Sequence, residues 1–115
     1  MFTSDGNINA FIDDIFLAGA DGLNFEYTVD LEYLVKNYNE KILIGNMNSQ
    51  ILAAGPLDAI TSEVHRCLEL GGQARQFVIN VGGQITHDVS IAHLEHYLNV
   101  RKQLSRQLAA NTLSA

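Results

Sequence analysis

The sequence is short of several residue types, and each shortage excludes a class of protein. It has no tryptophan, and Cys67 and Pro56 are the only residues of their kinds among 115. A single cysteine excludes an intramolecular disulfide. It also indicates a reducing compartment, and the cytoplasm is the compartment that fits best. With one proline and nine glycines, the chain is neither collagen-like nor of low complexity.

Basic residues are scarce as well. Seven Lys and Arg against 13 Asp and Glu give a formal net charge of −6. Because nucleic-acid affinity depends on clustered cations that neutralise phosphates, we expect no nucleic-acid partner. No apolar run reaches the about 18 residues of a transmembrane helix, and the N-terminus lacks the basic and apolar segments of a signal peptide. We therefore expect a soluble chain without a membrane partner.

What the sequence does contain is a regular alternation of strand and helix patterns. Short apolar runs predict four strands, at residues 1–4, 22–27, 42–47 and 77–81. Apolar residues at helical spacing predict a helix after each strand, with Asp30 and Ser90 at positions that suit N-caps. Alternating strands and helices predict parallel strands joined by right-handed crossovers.

Four such units make half of an eight-unit barrel. We therefore predict an α/β fold, a parallel (βα)4 half of a TIM (β/α)8 barrel, over residues 1–110, with a frayed tail at residues 111–115. Four parallel strands cannot close a barrel, so two sheet edges and an apolar inner face are expected to be open. A homodimer, or a complementing N-terminal half, would cover them.

Polar or glycine-rich segments follow each predicted strand, where barrels of this type build their active sites. The predicted substrate-binding residues are Asp5, Asn7, Glu26, Asn46, Asn48, Gly82, Gly83 and Gln84. Asp5 could equally cap a helix, and Glu26 could equally be a solvated loop residue. The two asparagines after the third strand could instead satisfy loop backbone groups. The Gly-Gly-Gln segment could present bare N–H groups to an anionic propionate-like group, or could be an ordinary turn.

Other reactive side chains favour structural roles. Cys67 lies mid-helix among core positions, away from a helix N-terminus that would stabilise a thiolate, and is predicted to pack. His93 and His96 share a side of the last helix and could bind a metal with His87, but solvent exposure is the favoured interpretation. We predict that the chain binds no metal and no cofactor. The sequence does not identify a catalytic residue.

Three ordered motifs carry a family resemblance. Ser4-Asp5-Gly6-Asn7-Ile8, Gly22-Leu23-Asn24-Phe25-Glu26 and Gly45-Asn46-Met47-Asn48 stand at predicted strand ends. With the later stretch from Gly55 to Ile85, they resemble the uroporphyrinogen decarboxylase superfamily from residue 2 to about residue 104. The resemblance implies a TIM barrel that decarboxylates uroporphyrinogen III to coproporphyrinogen III without a cofactor, or that transfers methyl groups between corrinoid proteins and thiols using zinc.

The chain also departs from that superfamily. The decarboxylases that it resembles carry a histidine near the substrate where this chain has Gly83. The methyltransferases place zinc ligands near the Thr3, Asp5 and Gly83 positions, and none is present here. The resemblance further implies an arginine-bearing segment and a substrate-binding aspartate in an N-terminal half that this sequence lacks.

These departures lead to three hypotheses. The first is a fragment of a decarboxylase-family enzyme that binds a tetrapyrrole or another small molecule in the intact barrel and is inactive alone. The second is a relative of the corrinoid-dependent methyltransferases. The third is a non-catalytic half-barrel remnant that acts as an interaction module.

Overall fold

The structure is a computed structural model that describes residues 1–3, 6–81, 85 and 87–114, with side chains through residue 108. In chain order the elements are β1 (Phe2–Thr3), a 3-10 turn (Asn9–Phe11), α1 (Ile12–Leu17), β2 (Gly22–Asn24), α2 (Leu31–Asn37), β3 (Ile42–Ile44), α3 (Ser49–Ala54), α4 (Leu57–Gly71), β4 (Gln76–Val78) and α5 (Ile91–Ser114). No helix in these described segments is long and apolar enough to span a lipid bilayer.

The four strands form a single parallel sheet in the order β1-β2-β3-β4. Leu23 of β2 lies beside Phe2 on one side and Leu43 on the other, and Leu43 lies beside Phe77 of β4. Strands that follow one another both in sequence and in space are the arrangement that helical crossovers of one hand produce. The predicted fold, a parallel (βα)4 half of a TIM barrel, is confirmed.

The helices cover one face of this sheet. Leu23 and Leu43 are fully buried beneath them. Because side chains alternate across a strand, the neighbouring residues Ile42, Ile44 and Val78 point to the opposite face, where Val78 is 54% exposed. That face has no covering layer among the described residues.

Two hydrophobic clusters hold the helices on the sheet. The first packs β2 and β3 against α1 and α2, and its buried members are Ile8, Ile12, Phe16, Leu23, Phe25, Val29, Leu31, Leu34, Val35 and Leu43. The second lies among α3, α4 and α5, and its buried members are Met47, Leu52, Ile60, Val64, Cys67, Leu68, Ile79, Val81 and Tyr97. Phe77 packs against both clusters and so joins them. Its ring lies where a Cβ on Gly71 would stand, so α4 can approach β4 only with glycine there.

The predicted N-caps are confirmed. The Asp30 carboxylate accepts a hydrogen bond from the Tyr33 N–H at 3.0 Å, and the Ser90 hydroxyl accepts one from the His93 N–H at 3.1 Å. The short helix α3 was not predicted, and α5 continues to Ser114, past the expected boundary at residue 110. The division into a half-barrel and a tail stays a prediction.

Some apolar residues that recur at helical spacing, and so would be expected on the covered side of their helices, are exposed. Phe11 is 59% exposed and Ile91 is 76% exposed, and Leu98 is exposed as well. They lie in the first and last units, whose outer sides have no neighbouring unit among the residues that the structure describes. Helical spacing predicts an apolar side correctly but does not say what covers it.

Candidate functional site

The predicted site residues divide into two groups. Asp5, Gly82, Gly83 and Gln84 lie outside the described residues. The other four, Asn7, Glu26, Asn46 and Asn48, follow β1, β2 and β3 at the carboxyl edge of the sheet. We call the segments 6–9, 25–30 and 45–48 the strand-end rim.

Glu26 joins the first two segments of the strand-end rim. Its carboxylate oxygen Oε2 accepts a hydrogen bond from the Gly6 N–H at 2.8 Å, across 20 residues of sequence. The side chain is half-buried just beyond the end of β2. One carboxylate oxygen is thus fixed by backbone, and the group as a whole remains able to accept further hydrogen bonds.

Asn9 also ties the segment after β1 to the segment after β2. Its amide donates to the Thr28 carbonyl oxygen at 2.8 Å, and its Oδ1 accepts from the Asp30 N–H at 2.8 Å. The loop between Glu26 and Asp30 is therefore held at both of its ends from the β1 side. Its own turn is closed by the Val29 N–H, which donates to the Glu26 carbonyl oxygen at 3.1 Å.

Asn46 holds the same loop from the β3 side. The side chain is 1% exposed, and its Nδ2 donates to the Val29 carbonyl oxygen at 2.8 Å. Its Oδ1 accepts from the Arg66 guanidinium, which reaches up from α4, at 3.1 Å. The buried amide is thus satisfied on both its donor and its acceptor side, as burial requires.

Arg66 is the centre of a polar cluster beneath the strand-end rim. Its Nη2 also donates to the Asn46 carbonyl oxygen at 3.3 Å, and its Nε donates to the carboxylate of Glu63, which is 8% exposed. The Cys67 thiol lies at the same place, 3.3 Å from Arg66 Nη2. Burial raises the pKa of Cys67 to about 11, and the nearby Arg66 charge opposes that rise only in part. The thiol is therefore protonated at neutral pH and unsuited to nucleophilic chemistry.

The side chains of Asn7 and Asn48 accept hydrogen bonds from backbone N–H groups two or three residues further along the chain. Asn7 Oδ1 accepts from the Asn9 N–H at 3.0 Å. Asn48 is the N-cap of α3, and its Oδ1 accepts from the N–H groups of Gln50 and Ile51 at 2.9 and 3.4 Å. These bonds are the ones that asparagine makes where it satisfies a loop. A role for either residue in binding substrate stays a prediction.

The strand-end rim therefore combines a half-buried carboxylate, the buried amide of Asn46 and a supporting guanidinium at the carboxyl edge of a parallel sheet. Sequence comparison shows which proteins this chain is similar to. The family model of uroporphyrinogen decarboxylase (URO-D) matches residues 1–104. The chain belongs to the uroporphyrinogen decarboxylase family.

Several curated relatives match nearly the whole chain. The uroporphyrinogen decarboxylase of Pseudomonas fluorescens (strain Pf-5) is 35% identical over 108 residues. Those of Pseudomonas putida (strain W619) and Pseudomonas entomophila (strain L48) are each 32% identical over 108 residues. Each alignment covers 93% of this chain and 30% of the relative. The chain thus spans about 30% of the length of these uroporphyrinogen decarboxylases.

Sequence reasoning missed Asn9, Glu63 and Arg66 in this member of the family. The spacing of Glu63 and Arg66, three residues apart on a helix, was a visible signal of a paired side chain. For Asn9 the only signal was a polar residue between a strand end and a helix. Its partners, 19 and 21 residues away, could not be inferred from local pattern.

The histidines of the last helix differ from expectation. His93 Nδ1 lies 2.9 Å from the Leu52 carbonyl oxygen of α3, and His96 Nε2 lies 2.8 Å from the Thr61 hydroxyl of α4. They are half-buried contacts between helices, so the expectation of solvent exposure was wrong for both. His87 is exposed. Among the described residues, no group of three or more His, Cys, Asp or Glu side chains is arranged to hold a metal ion.

Proposed function

We propose that this chain supplies four βα units to a uroporphyrinogen decarboxylase barrel, and that the complete barrel converts uroporphyrinogen III to coproporphyrinogen III without a cofactor. One observation carries the proposal: an open sheet face lies beneath a carboxyl-edge rim whose segments are bonded to one another. Barrel enzymes place their substrates above the carboxyl ends of the strands. Membership of the uroporphyrinogen decarboxylase family supports this choice of reaction.

Glu26 is the residue that we assign to substrate binding. The Gly6 N–H fixes one of its oxygens at 2.8 Å, so the carboxylate is held in place before any ligand arrives. A pyrrole N–H is a donor that such a carboxylate can accept. The bond would strengthen if the pyrrole becomes cationic, because an ionised partner makes the hydrogen bond stronger.

The decarboxylation reaction explains why a carboxylate would be useful at the position of Glu26. Loss of carbon dioxide from a pyrrole acetate needs a proton on the pyrrole carbon and stabilisation of the resulting cation by a nearby carboxylate. In our proposal Glu26 supports that cation from the rim, and Asn46 and Arg66 keep the loop that follows Glu26 in position. The catalytic carboxylate itself belongs to the part of the barrel that this chain does not contain.

We therefore propose that the chain is inactive alone. It spans about 30% of the length of the relatives that it matches, and its sheet of four strands leaves the opposite face open. Without a closed barrel, water keeps its access to the rim and weakens every electrostatic contact there. We place the reaction in the cytoplasm, because the single cysteine is a buried free thiol that suits a reducing compartment.

A chimaera tests this proposal. The segment of the Pseudomonas fluorescens relative that matches this chain is replaced by residues 1–108, and coproporphyrin is measured by chromatography after anaerobic incubation with uroporphyrinogen III and oxidation. We expect turnover by the chimaera and none by the chain alone. In the chimaera, Glu26→Gln should lower kcat/KM at least tenfold, an effect of about 1.4 kcal/mol.

The matched control is Glu32→Gln, which removes an exposed carboxylate from the first turn of α2, and should leave kcat/KM unchanged. A folded chimaera without turnover would contradict the proposal, and so would a chimaera that cannot fold. If the Glu26 and Glu32 variants are equally active, Glu26 does not bind the substrate.

A further inference from the structure

Asn9 makes two hydrogen bonds to the loop that follows β2. Its Nδ2 donates to the Thr28 carbonyl oxygen and its Oδ1 accepts from the Asp30 N–H, both at 2.8 Å. These two backbone groups flank Val29, so one side-chain amide contacts the main chain on both sides of a single residue. Backbone pairing between β1 and β2 stops before this loop. Asn9 therefore continues the connection between the first two units beyond their last paired residues, through a side chain.

The loop is fixed from its other side as well. Asn46 Nδ2 donates to the Val29 carbonyl oxygen at 2.8 Å, and the Val29 side chain is 2% exposed. The Val29 N–H closes the turn onto the Glu26 carbonyl oxygen at 3.1 Å. Residues 28–30 therefore cannot shift without breaking bonds to both neighbouring units, and a shift would carry the backbone of Glu26 with it.

The short segment 6–9 holds Glu26 at both of its ends. The Gly6 N–H fixes the carboxylate oxygen Oε2 at 2.8 Å. Asn9 fixes the turn that begins at the Glu26 carbonyl group. A carboxylate that is anchored only at its tip can still move with its backbone, whereas one that is anchored at tip and backbone is held in one position before a ligand arrives.

Asn9 is itself held by the segment around it. Its N–H donates to Asn7 Oδ1 at 3.0 Å, and it begins the 3-10 turn that leads into α1. The Phe11 N–H donates to the Ile8 carbonyl oxygen at 2.8 Å, and the Ile8 side chain is buried in the first hydrophobic cluster. The core therefore sets the position of the Asn9 amide, and the loop follows it.

We propose that Asn9 is a positioning residue for the reaction, because it holds the turn of residues 26–29 where the Glu26 carboxylate can meet the substrate in hydrogen-bond geometry. The inference rests on the proposed function for the role of Glu26. Asn9 acts through Glu26 and not on the substrate, since both polar atoms of its side chain are bonded to the loop.

The effect of Asn9 should fall on turnover more than on substrate affinity. Glu26 is proposed to support a cation that forms during the reaction, so an error in its position weakens the transition state more than the bound substrate. A misplacement of about 1 Å can cost about a hundredfold in rate, and the Gly6 bond limits the displacement here. Loss of the Asn9 contacts should therefore lower kcat about tenfold and change KM by less than about twofold.

Two substitutions in the chimaera with the Pseudomonas fluorescens relative test this expectation. Asn9→Ala removes both bonds, and Asn9→Asp keeps an acceptor for the Asp30 N–H but places an oxygen against the Thr28 carbonyl oxygen. Both should show the loss in kcat. The matched controls are Asn37→Ala and Asn37→Asp, which should leave kcat unchanged. Asn37 is also exposed, and its Nδ2 likewise donates to a backbone carbonyl oxygen, that of Tyr33 at 3.0 Å.

A double-mutant cycle separates positioning from a general loss of structure. In a chimaera that already carries Glu26→Gln, Asn9→Ala should lower kcat by less than about twofold, because the carboxylate through which Asn9 acts is gone. If the losses from the two substitutions multiply, Asn9 does not act through Glu26 and the proposal is wrong.

Hydrogen exchange of the chain alone gives a readout that does not need turnover. Asn9→Ala should speed exchange of the Asp30 amide at least about tenfold, whereas Asn9→Asp should leave it protected. The Tyr38 amide, which bonds to the Leu34 carbonyl oxygen, should exchange at the same rate in all three proteins. Unchanged exchange at Asp30 in Asn9→Ala would overturn the proposal. A folded chimaera without turnover would instead overturn the proposed function, and the exchange rates would still decide whether Asn9 holds the loop.

Discussion

The side-chain amide of Asn46 donates a hydrogen bond to the carbonyl oxygen of Val29 at 2.8 Å, joining the segment after β3 to the loop after β2. The same side chain accepts from Arg66 of α4 at 3.1 Å. A buried polar group with partners on both sides is costly to remove, because each partner is then left without its bond.

Asn46→Ala should therefore lower the free energy of unfolding by about 2–3 kcal/mol, through the unsatisfied Val29 carbonyl and Arg66 guanidinium. Urea unfolding followed by circular dichroism measures this. The control is Asn80→Ala, an exposed residue after the next strand, which should change stability by less than about 0.5 kcal/mol. Equal effects of the two substitutions would show that the Asn46 contacts contribute nothing to stability.

Asn48 offers a second stability test. Its Oδ1 accepts from two N–H groups at the start of α3, so Asn48→Ala should cost about 1 kcal/mol, and Asn48→Asp should be near neutral. Thermal unfolding of the three proteins compares them directly. If the aspartate is as destabilising as the alanine, the residue does not act as a helix cap.

A pH titration tests the cluster on the outer side of α1 and α2. Asp13 Oδ1 accepts from the hydroxyls of Tyr38 and Tyr33 at 2.5 and 2.7 Å. The bond to Asp13 raises the pKa of Tyr38 to about 12 and also raises the pKa of Tyr33. The part of the tyrosinate absorbance that comes from Tyr38 and Tyr33 should therefore appear above pH 10 in the folded protein, and Asp13→Asn should move that part toward pH 10.

The same contacts lose their contribution to stability at both ends of the pH scale. For Tyr38 the folded pKa is above the unfolded value, so its contribution is complete below pH 10 and is lost as pH rises toward 12. The bonds from Tyr38 and Tyr33 lower the pKa of Asp13, so its contribution is present above its ordinary value of 3.8 and is lost as pH falls below that value. Asp13→Asn should flatten both limbs of the stability profile.

Cys67 provides a chemical probe of folding. Burial raises the pKa of its thiol to about 11, so at pH 8 the folded chain should react with a disulfide reagent far more slowly than the chain in concentrated guanidinium chloride. The rate across a denaturant series should follow the unfolded fraction. Fast labelling of the fully folded chain would show that the thiol is accessible and would place the α4 packing in doubt.

Local patterns in the sequence predicted most of the fold. The Asp30 and Ser90 caps, the continuous apolar run of β3 and the helical spacing from Leu57 to Gly71 each depend on neighbouring residues, and the structure has all of them. The helix α3 was missed because its six residues are too few to show a period. The strands appeared longer in the sequence because apolar residues beyond their ends, such as Phe25 and Met47, are buried as well.

The candidate site was less predictable because its contacts are distant in sequence. A strand-end position pointed to Glu26 and Asn46, but the bonds that fix them come from Gly6, Val29 and Arg66, 17 to 20 residues away. Only the folded chain decides whether an asparagine faces a ligand or a carbonyl oxygen. The role of Asn46 in supporting the neighbouring loop became visible in this way.

All the bonds that build the strand-end rim are made by residues that precede Cys67. A nascent chain that has emerged through α4 would thus already contain every partner that positions Glu26, while α5 is still being synthesised. The local shape of the strand-end rim would then form early, before the rest of a barrel surrounds it. Closure of the barrel would change how much water reaches the rim and the local dielectric constant, but not the positions of the residues in it.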